Sequence, residues 1–358
     1  MMQLFYLIVT AMTSVIVNAL HARNDVIRRI REQGASDEWT SVSDVNVTFS
    51  YTFCCNETSE MENVLTSVEA LGFCFTEVVL IIDVPHGGLK DGVVLPGGIG
   101  GYSEFLHSTW GKQMISTAKR TAQEAAALLE SHCPLSLHGP QHPPKWRIDV
   151  MNYEDPAMQT TLESDFGVNV SGFWRDSMYP NTMVYDRLWN LPDTQYVWHS
   201  DAGGVVQRFG QFAGPNFVEA SMNLMRSDSR VFMTVPTKNY GLNQWKCSTP
   251  FDKSKGNMEF EARWHEEENP FNIKTYINQG WFMSYEDPRA WTSSEVFFLD
   301  VRKFRSLLPF NASYASEPIE EILSRTFPEN DAYQVSLDCR TNLAAYDDDP
   351  VNTQAGVA

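Results

Sequence analysis

The chain has 358 residues, of which 43% are hydrophobic, 12% aromatic and 20% charged, and its formal net charge is −18. This composition excludes an intrinsically disordered chain and supplies enough apolar residues for a substantial core. So negative a surface repels polyanions, which excludes nucleic acid as a partner, while the same field suits the collection of divalent cations.

Residues 1–20 carry no charged side chain, and 4–17 (LFYLIVTAMTSVIV) are apolar enough to enter a membrane or a translocon. Residues 1–22 are therefore expected to be a signal peptide or a membrane anchor, and 23–44 a linker. The segment is just long enough to span a bilayer, and Val17-Asn18-Ala19 offers small residues for signal peptidase. Arg23, Arg28, Arg29 and Arg31 follow the apolar run and none precede it. For a retained anchor, the positive-inside rule would then put the rest of the chain in the cytoplasm, so cleavage is the expectation. A buried N-terminal helix or strand is the alternative. The sequons at Asn46, Asn56, Asn169 and Asn311 agree with the secretory pathway: an ER or Golgi lumenal protein, membrane-anchored or secreted. Six cysteines suit an oxidising lumen, with the connectivity left open by sequence.

The first predicted strand is 45–53 (VNVTFSYTF), rich in β-branched and aromatic residues. A helix is expected over 57–71 with Asn56 as N-cap. The run 77–83 (EVVLIID) is continuously apolar until its final aspartate, as in a strand buried on both faces. Strand, helix and strand at this spacing read as a βαβ unit with parallel pairing. The Gly-rich stretch 87–101 lacks a phosphate-loop pattern and reads as loop. Strong helix formers predict a helix over 110–132, followed by a Pro/His-rich connector and a short strand at 145–150 (KWRIDV). A helical stretch through 185–189 leads to a turn and the strand 196–201 (YVWHSD). A helix over 217–226, strands over 230–236 and 295–300, and a short helix over 301–308 complete the predicted elements. The polar and aromatic stretch 238–272 reads as irregular. One α/β domain over 45–335 is expected, then an acidic, disordered tail over 336–358.

The stretch 185–201 (YDRLWNLPDTQYVWHSD) resembles glycosyltransferases of the GT-A fold, in which a helix and turn precede an apolar strand ending in Asp-x-Asp. The run 295–305 (EVFFLDVRKFR), an apolar strand entering a basic helix, resembles that family's second half. The likeness spans roughly 45–310 as order and spacing rather than as one signature. It implies a single Rossmann-like α/β domain with a mixed, mainly parallel sheet flanked by helices. It also implies transfer of a sugar from a nucleoside-diphosphate donor to a glycan or glycoprotein acceptor, with a divalent metal, Mn²⁺ or Mg²⁺, at the diphosphate.

Residue by residue, the resemblance sets Asp83 near the nucleoside and Asp201 at the metal. Asp149 ends a third strand and is a further donor-site candidate, because strand carboxyl ends converge on the ligand crevice of α/β sheets. Ala202 and Gly203 follow Asp201, so the second acid of Asp-x-Asp is absent, and water, His199 or a more distant carboxylate would have to complete the metal's shell. Glu286 and Asp287 are the candidates for the general base of an inverting transfer. Each of these aspartates is also compatible with a plain turn role. Trp281 and Trp291 are candidate sugar-stacking residues, with core packing as the alternative. Two further readings remain: a catalytically inactive descendant that binds sugar or nucleotide, and a secreted interaction protein. The cluster His132, Cys133, His138 and His142 fits no standard zinc spacing.

Overall fold

A computed structural model of the chain describes residues 39–40, 45–54, 61–84, 102–133, 144–152, 155–167, 194–201, 204–208, 216–238, 281–284, 296–313, 319–337 and 343–347. By contacts the chain divides into Met1–Glu38 and Trp39–Ala358, and every described residue belongs to the second unit. Among the described residues no helix is long and apolar enough to cross a membrane.

Three strands have the bounds expected from sequence: β2 (Glu77–Asp83), β3 (Lys145–Val150) and β4 (Tyr196–Asp201). Each ends within a residue of an aspartate, because an ionised carboxylate is costly to bury and is favoured where the strand leaves the covered part of the sheet. The first strand, β1, runs Val47–Cys54 and pairs in parallel with β2 on one side and β4 on the other. Next to β4 lies β9 (Val296–Asp300), antiparallel to it; beyond are β6 (Val231–Val235), β10 (Tyr333–Leu337) and β8 (Trp281–Ser284). The order across the sheet is β3-β2-β1-β4-β9-β6-β10-β8. All but β8 and β9 run the same way, which is the mixed, mainly parallel sheet expected.

Helices cover both faces. On one face, α1 (Glu62–Leu71), the long α3 (Thr109–His132) and α5 (Phe217–Ser227) bury Val64, Val68, Met114, Ala118, Ala122 and Met222 against Phe49, Tyr51, Phe53, Leu80 and Trp198. On the other, α4 (Pro156–Phe166), α6 (Val301–Arg305) and α7 (Ile319–Glu329) bury Met158, Leu162, Phe304 and Phe327 against Val79, Ile81, Val197 and Phe297. Each large side chain removed from water contributes roughly 1.5–3 kcal/mol. Small residues on α3 let it lie close to the sheet, and Gly111 is required there: a Cβ would meet the Phe105 carbonyl oxygen at 2.0 Å. Phe105 belongs to α2 (Tyr102–His107), a short helix separate from α3 that the helix-former pattern did not reveal.

The helix ends follow capping rules. Ser108 accepts from the Gly111 N–H, Asp155 from Ala157, Asn216 from Val218 and Asp300 from Lys303. α1 and α4 stop at Gly72 and Gly167, both in the left-handed conformation that ends helices at glycine. At its start α1 follows Met61 with no side-chain cap; the expected cap Asn56 lies outside the described residues. So do 87–101, 185–193, 239–272 and most of the 134–144 connector.

A second, three-stranded sheet has the order β5-β11-β7, from β5 (Gly204–Arg208), β7 (Thr237–Lys238) and β11 (Leu343–Asp347). Residues 343–347 fall inside the expected disordered tail, and the main-sheet strand β10 reaches Leu337. Their order comes from pairing with β5, more than a hundred residues earlier in the chain, which no local pattern announces.

Cys74 and Cys133 form a disulfide between the approach to β2 and the end of α3. This removes Cys133 from any zinc site. Its neighbour His132 stacks on Trp39, with ring centroids 4.7 Å apart.

Candidate functional site

After β1, the chain builds β2 and β3 outward on one side through α1 and α3. It then crosses by way of α4, on the opposite face, to place β4 on the other side of β1. The winding therefore reverses between β1 and β4. At such a switch point the helices diverge to opposite faces, leaving a crevice outside the carboxyl ends of the strands where α/β sheets bind ligands.

The carboxyl ends of these four strands hold three of the aspartates singled out from sequence. The register runs Asp149 opposite Ile81, Ile81 opposite Thr52, and Thr52 opposite Asp201, so these residues form one row across β3, β2, β1 and β4. Asp83 sits one pleat further out on β2, opposite Cys54. Alternation along each strand puts all three aspartate positions on the sheet face that carries α4. Three strand spacings separate the Asp149 and Asp201 backbones, about 14 Å. That is too far for one metal ion, and it gives the two positions different parts of any ligand. Asp149 Oδ2 lies 3.3 Å from an Arg147 guanidinium nitrogen, in a pair that remains partly exposed. The side chains of Asp83 and Asp201 lie outside the described atoms.

β1 is central to the sheet yet alternates polar and aromatic. Phe49, Tyr51 and Phe53 enter one core, while Thr48, Ser50 and Thr52 occupy the other face, all buried. Two of the three hydroxyls are partnered. Thr48 Oγ1 lies 2.8 Å from Thr194 Oγ1, and Ser50 Oγ lies 3.5 Å from His199 Nδ1. Among the described residues Thr52 Oγ1, buried, has no hydrogen-bond partner, and Thr52 is 6% exposed. It stands between Ile81 and Asp201, at the switch point. Sequence reasoning missed it because threonine is an ordinary strand former; the signal that could have found it is the polar alternation in a strand otherwise bound for the middle of a sheet.

His199, proposed from sequence as a substitute metal ligand, lies one pleat inside Asp201. It is 1% exposed, beside Ser50 and with its ring 4.9 Å from that of Phe297. Its imidazole is enclosed in the packed interior, which sets it back from the open strand end. Glu286, Asp287 and Trp291 lie outside the described residues; β8 ends at Ser284, just before the first two, and contains Trp281. Among the described residues no group of three His, Cys, Asp or Glu side chains could hold a metal ion.

The perturbed ionisable groups gather at the opposite end of β4. Burial raises Tyr196 and Asp300 above their ordinary values; the Asp300 charge raises Tyr196 further, while the Lys303 amide and ammonium partly offset the effect on Asp300. Burial lowers Lys303. Two of these groups have structural duties: Asp300 caps α6, and Lys303 Nζ donates to the carbonyls of Met225, Asp228 and Val231, from the end of α5 to the start of β6. The shifted pKa values therefore mark the pole of the domain opposite the candidate crevice.

The fold is an α/β domain with a doubly wound, mixed and mainly parallel sheet. No family model matches the chain, and no curated protein matches it. Among solved structures it is similar to GalNAc-T7 bound to UDP, GalNAc and Mn²⁺, at TM-score 0.38 and 12% identity, covering 86% of this chain and 44% of that one. It is also similar to the galactosyltransferase LgtC with donor and acceptor sugar analogues, at TM-score 0.32 and 13% identity, covering 84% and 86%. An active-site mutant of LgtC aligns at TM-score 0.30 and 12% identity, covering 81% and 72%. The chain thus spans less than half the length of the first of these.

Proposed function

We propose that the protein transfers a sugar from a nucleoside-diphosphate donor to a glycan or glycoprotein acceptor in the secretory pathway. The observation that carries this reading is the row at the switch point: carboxylate positions on adjacent parallel strands flanking a buried hydroxyl with no partner among the described residues. A buried polar group without a partner is costly, and a ligand that supplies one removes the cost. The span of the row suits an extended ligand with separate nucleoside and phosphate ends. In this reading Asp83 and Asp149 serve the nucleoside side, Asp201 approaches the diphosphate, and Glu286 or Asp287 takes the acceptor proton.

The donor set at Asp201 fits a hard cation held by few protein groups. Mg²⁺ in particular keeps several waters and is commonly bound by one or two carboxylates together with substrate phosphates. Such an ion would neutralise charge developing on the leaving diphosphate. The buried disulfide between Cys74 and Cys133 supports a lumenal location, since such bonds persist in oxidising compartments. With it go the expected leader over 1–22, cleaved or retained, and the sequons.

Isothermal titration with a panel of nucleoside-diphosphate sugars, with and without Mn²⁺ or Mg²⁺, tests the reading. Binding by wild type, its loss in Asp201→Ala, and release of nucleoside diphosphate on adding acceptor are the expected results. If no nucleotide binds and Asp201→Ala behaves as wild type, the reading falls and an interaction protein takes its place. Gly203, which offers no second acid, favours one rival: a protein that binds the donor without transferring it. Binding with no turnover at any metal concentration would establish that rival.

A further inference from the structure

Two of the four sequons fall within the described residues, and they differ in setting. Asn46-Val47-Thr48 leads into β1, where Thr48 is 1% exposed and its hydroxyl is engaged with Thr194. Asn311-Ala312-Ser313 lies in the strap that follows α6. Phe310 is buried there, its ring 5.5 Å from Phe166 and 5.6 Å from Phe304. The Phe310 N–H donates to the Asp165 carbonyl and the Ala312 N–H to that of Phe166, which ties the strap to the end of α4. Between these two anchored residues Asn311 turns outward, exposed, with φ at +51°. Asparagine tolerates this left-handed conformation better than most residues. Ser313 is exposed beside it.

The strap lies at the pole away from the crevice. Asp300, from which α6 starts, pairs with Tyr196 at the beginning of β4, five residues before Asp201. That separation is about 17 Å along the strand. A bulky, hydrated substituent on Asn311 would therefore leave the row of Asp149, Thr52 and Asp201 open.

We propose that Asn311 carries an N-linked glycan, held outward on an anchored turn at the pole opposite the ligand crevice. The attachment joins the Asn311 side-chain nitrogen to the first sugar of a preassembled oligosaccharide, whose lipid diphosphate carrier leaves. It requires an Asn-x-Ser/Thr sequon without a central proline, and such glycans sit on the surface. The proposal rests on the lumenal reading above, because the lipid-linked donor is met only inside the secretory pathway.

The test is intact-mass and glycopeptide analysis of the full chain made in eukaryotic cells, once with its own N-terminus and once behind a foreign cleavable leader. With the foreign leader, wild type should exceed Asn311→Gln by one oligosaccharide. Ser313→Ala should lose the same mass while keeping the asparagine that suits the left-handed turn, and Ser313→Thr should restore it. An unmodified Asn311 peptide from the translocated chain, with masses unchanged across these variants, would overturn the proposal. If only the foreign leader yields modification, the site stands and the lumenal reading fails.

Discussion

Replacing Thr52 with valine separates a ligand-binding hydroxyl from a structural one, because the two roles predict opposite signs. Valine has nearly the same shape but no hydroxyl. In the free protein Thr52 Oγ1 is buried without a partner among the described residues, a situation that costs about 1–3 kcal/mol relative to a satisfied group. Thr52→Val removes that penalty and should stabilise the free protein by about 1 kcal/mol, raising Tm by roughly 2 °C for a domain of this size. The same change deletes a hydrogen bond to a bound ligand, worth about 0.5–1.5 kcal/mol, so donor affinity should fall by up to about tenfold. Thr48→Val is the internal control. Its hydroxyl lies on the same face of the same strand and is 2.8 Å from that of Thr194, so its loss orphans a buried partner. That variant should be destabilised by about 1–3 kcal/mol with donor affinity unchanged. Urea melts of the free proteins and titration with donor give both readouts. The reasoning is refuted if Thr52→Val is destabilised as much as Thr48→Val, or if it binds donor as tightly as wild type.

Three further outcomes follow from the packing. Asn216 caps α5 through Oδ1 while its amide donates to the carbonyls of Leu71 and Gly72 at the end of α1. Asn216→Ala should cost about 2–4 kcal/mol, the cap plus the abandoned carbonyls. Asn216→Asp, although an equally good cap, turns a carboxylate onto those carbonyls and should be at least as damaging in a denaturant melt; wild-type stability in the Asp variant would refute the double role. The Cys74–Cys133 bond spans a sequence separation of 59 residues, so loop closure predicts about 4 kcal/mol of stabilisation; Cys74→Ala/Cys133→Ala should lose most of it, and wild type should match the variant once reduced. For Asp300, burial raises the folded-state pKa above the unfolded value, so its stabilising contribution is full below pH about 3.8 and is lost as pH rises through the folded pKa. Asp300→Asn retains a capping oxygen and should equal or exceed wild-type stability at pH 7, the difference shrinking as pH falls toward 4; a deficit that grows with pH would reverse the sign.

Much of the architecture was legible locally. The runs EVVLIID, KWRIDV and YVWHSD each carry an aspartate at or within one residue of the strand's end, so their strand bounds could be read off directly. The stripe of small residues along α3 and the glycine ends of α1 and α4 are equally local signals, as were the aspartates at the strand ends. His199, two residues before Asp201 and a candidate ligand from sequence, lies one pleat deeper, buried with its ring against that of Phe297.

What sequence alone determined is the elements with a local signature, β1 to β4 and α3 among them, because amphipathic period and capping act within a few residues. Only the tertiary structure decided which strands adjoin. Thr52 meets Asp201 across 149 positions of chain, Cys74 finds Cys133, Asn216 bridges two helices, and β11 reaches back to β5. Those pairings depend on the order in which strands are laid into the sheet and on the face each crossover takes. Local propensity carries no record of either, and the crevice between β1 and β4 exists only because the winding reverses there.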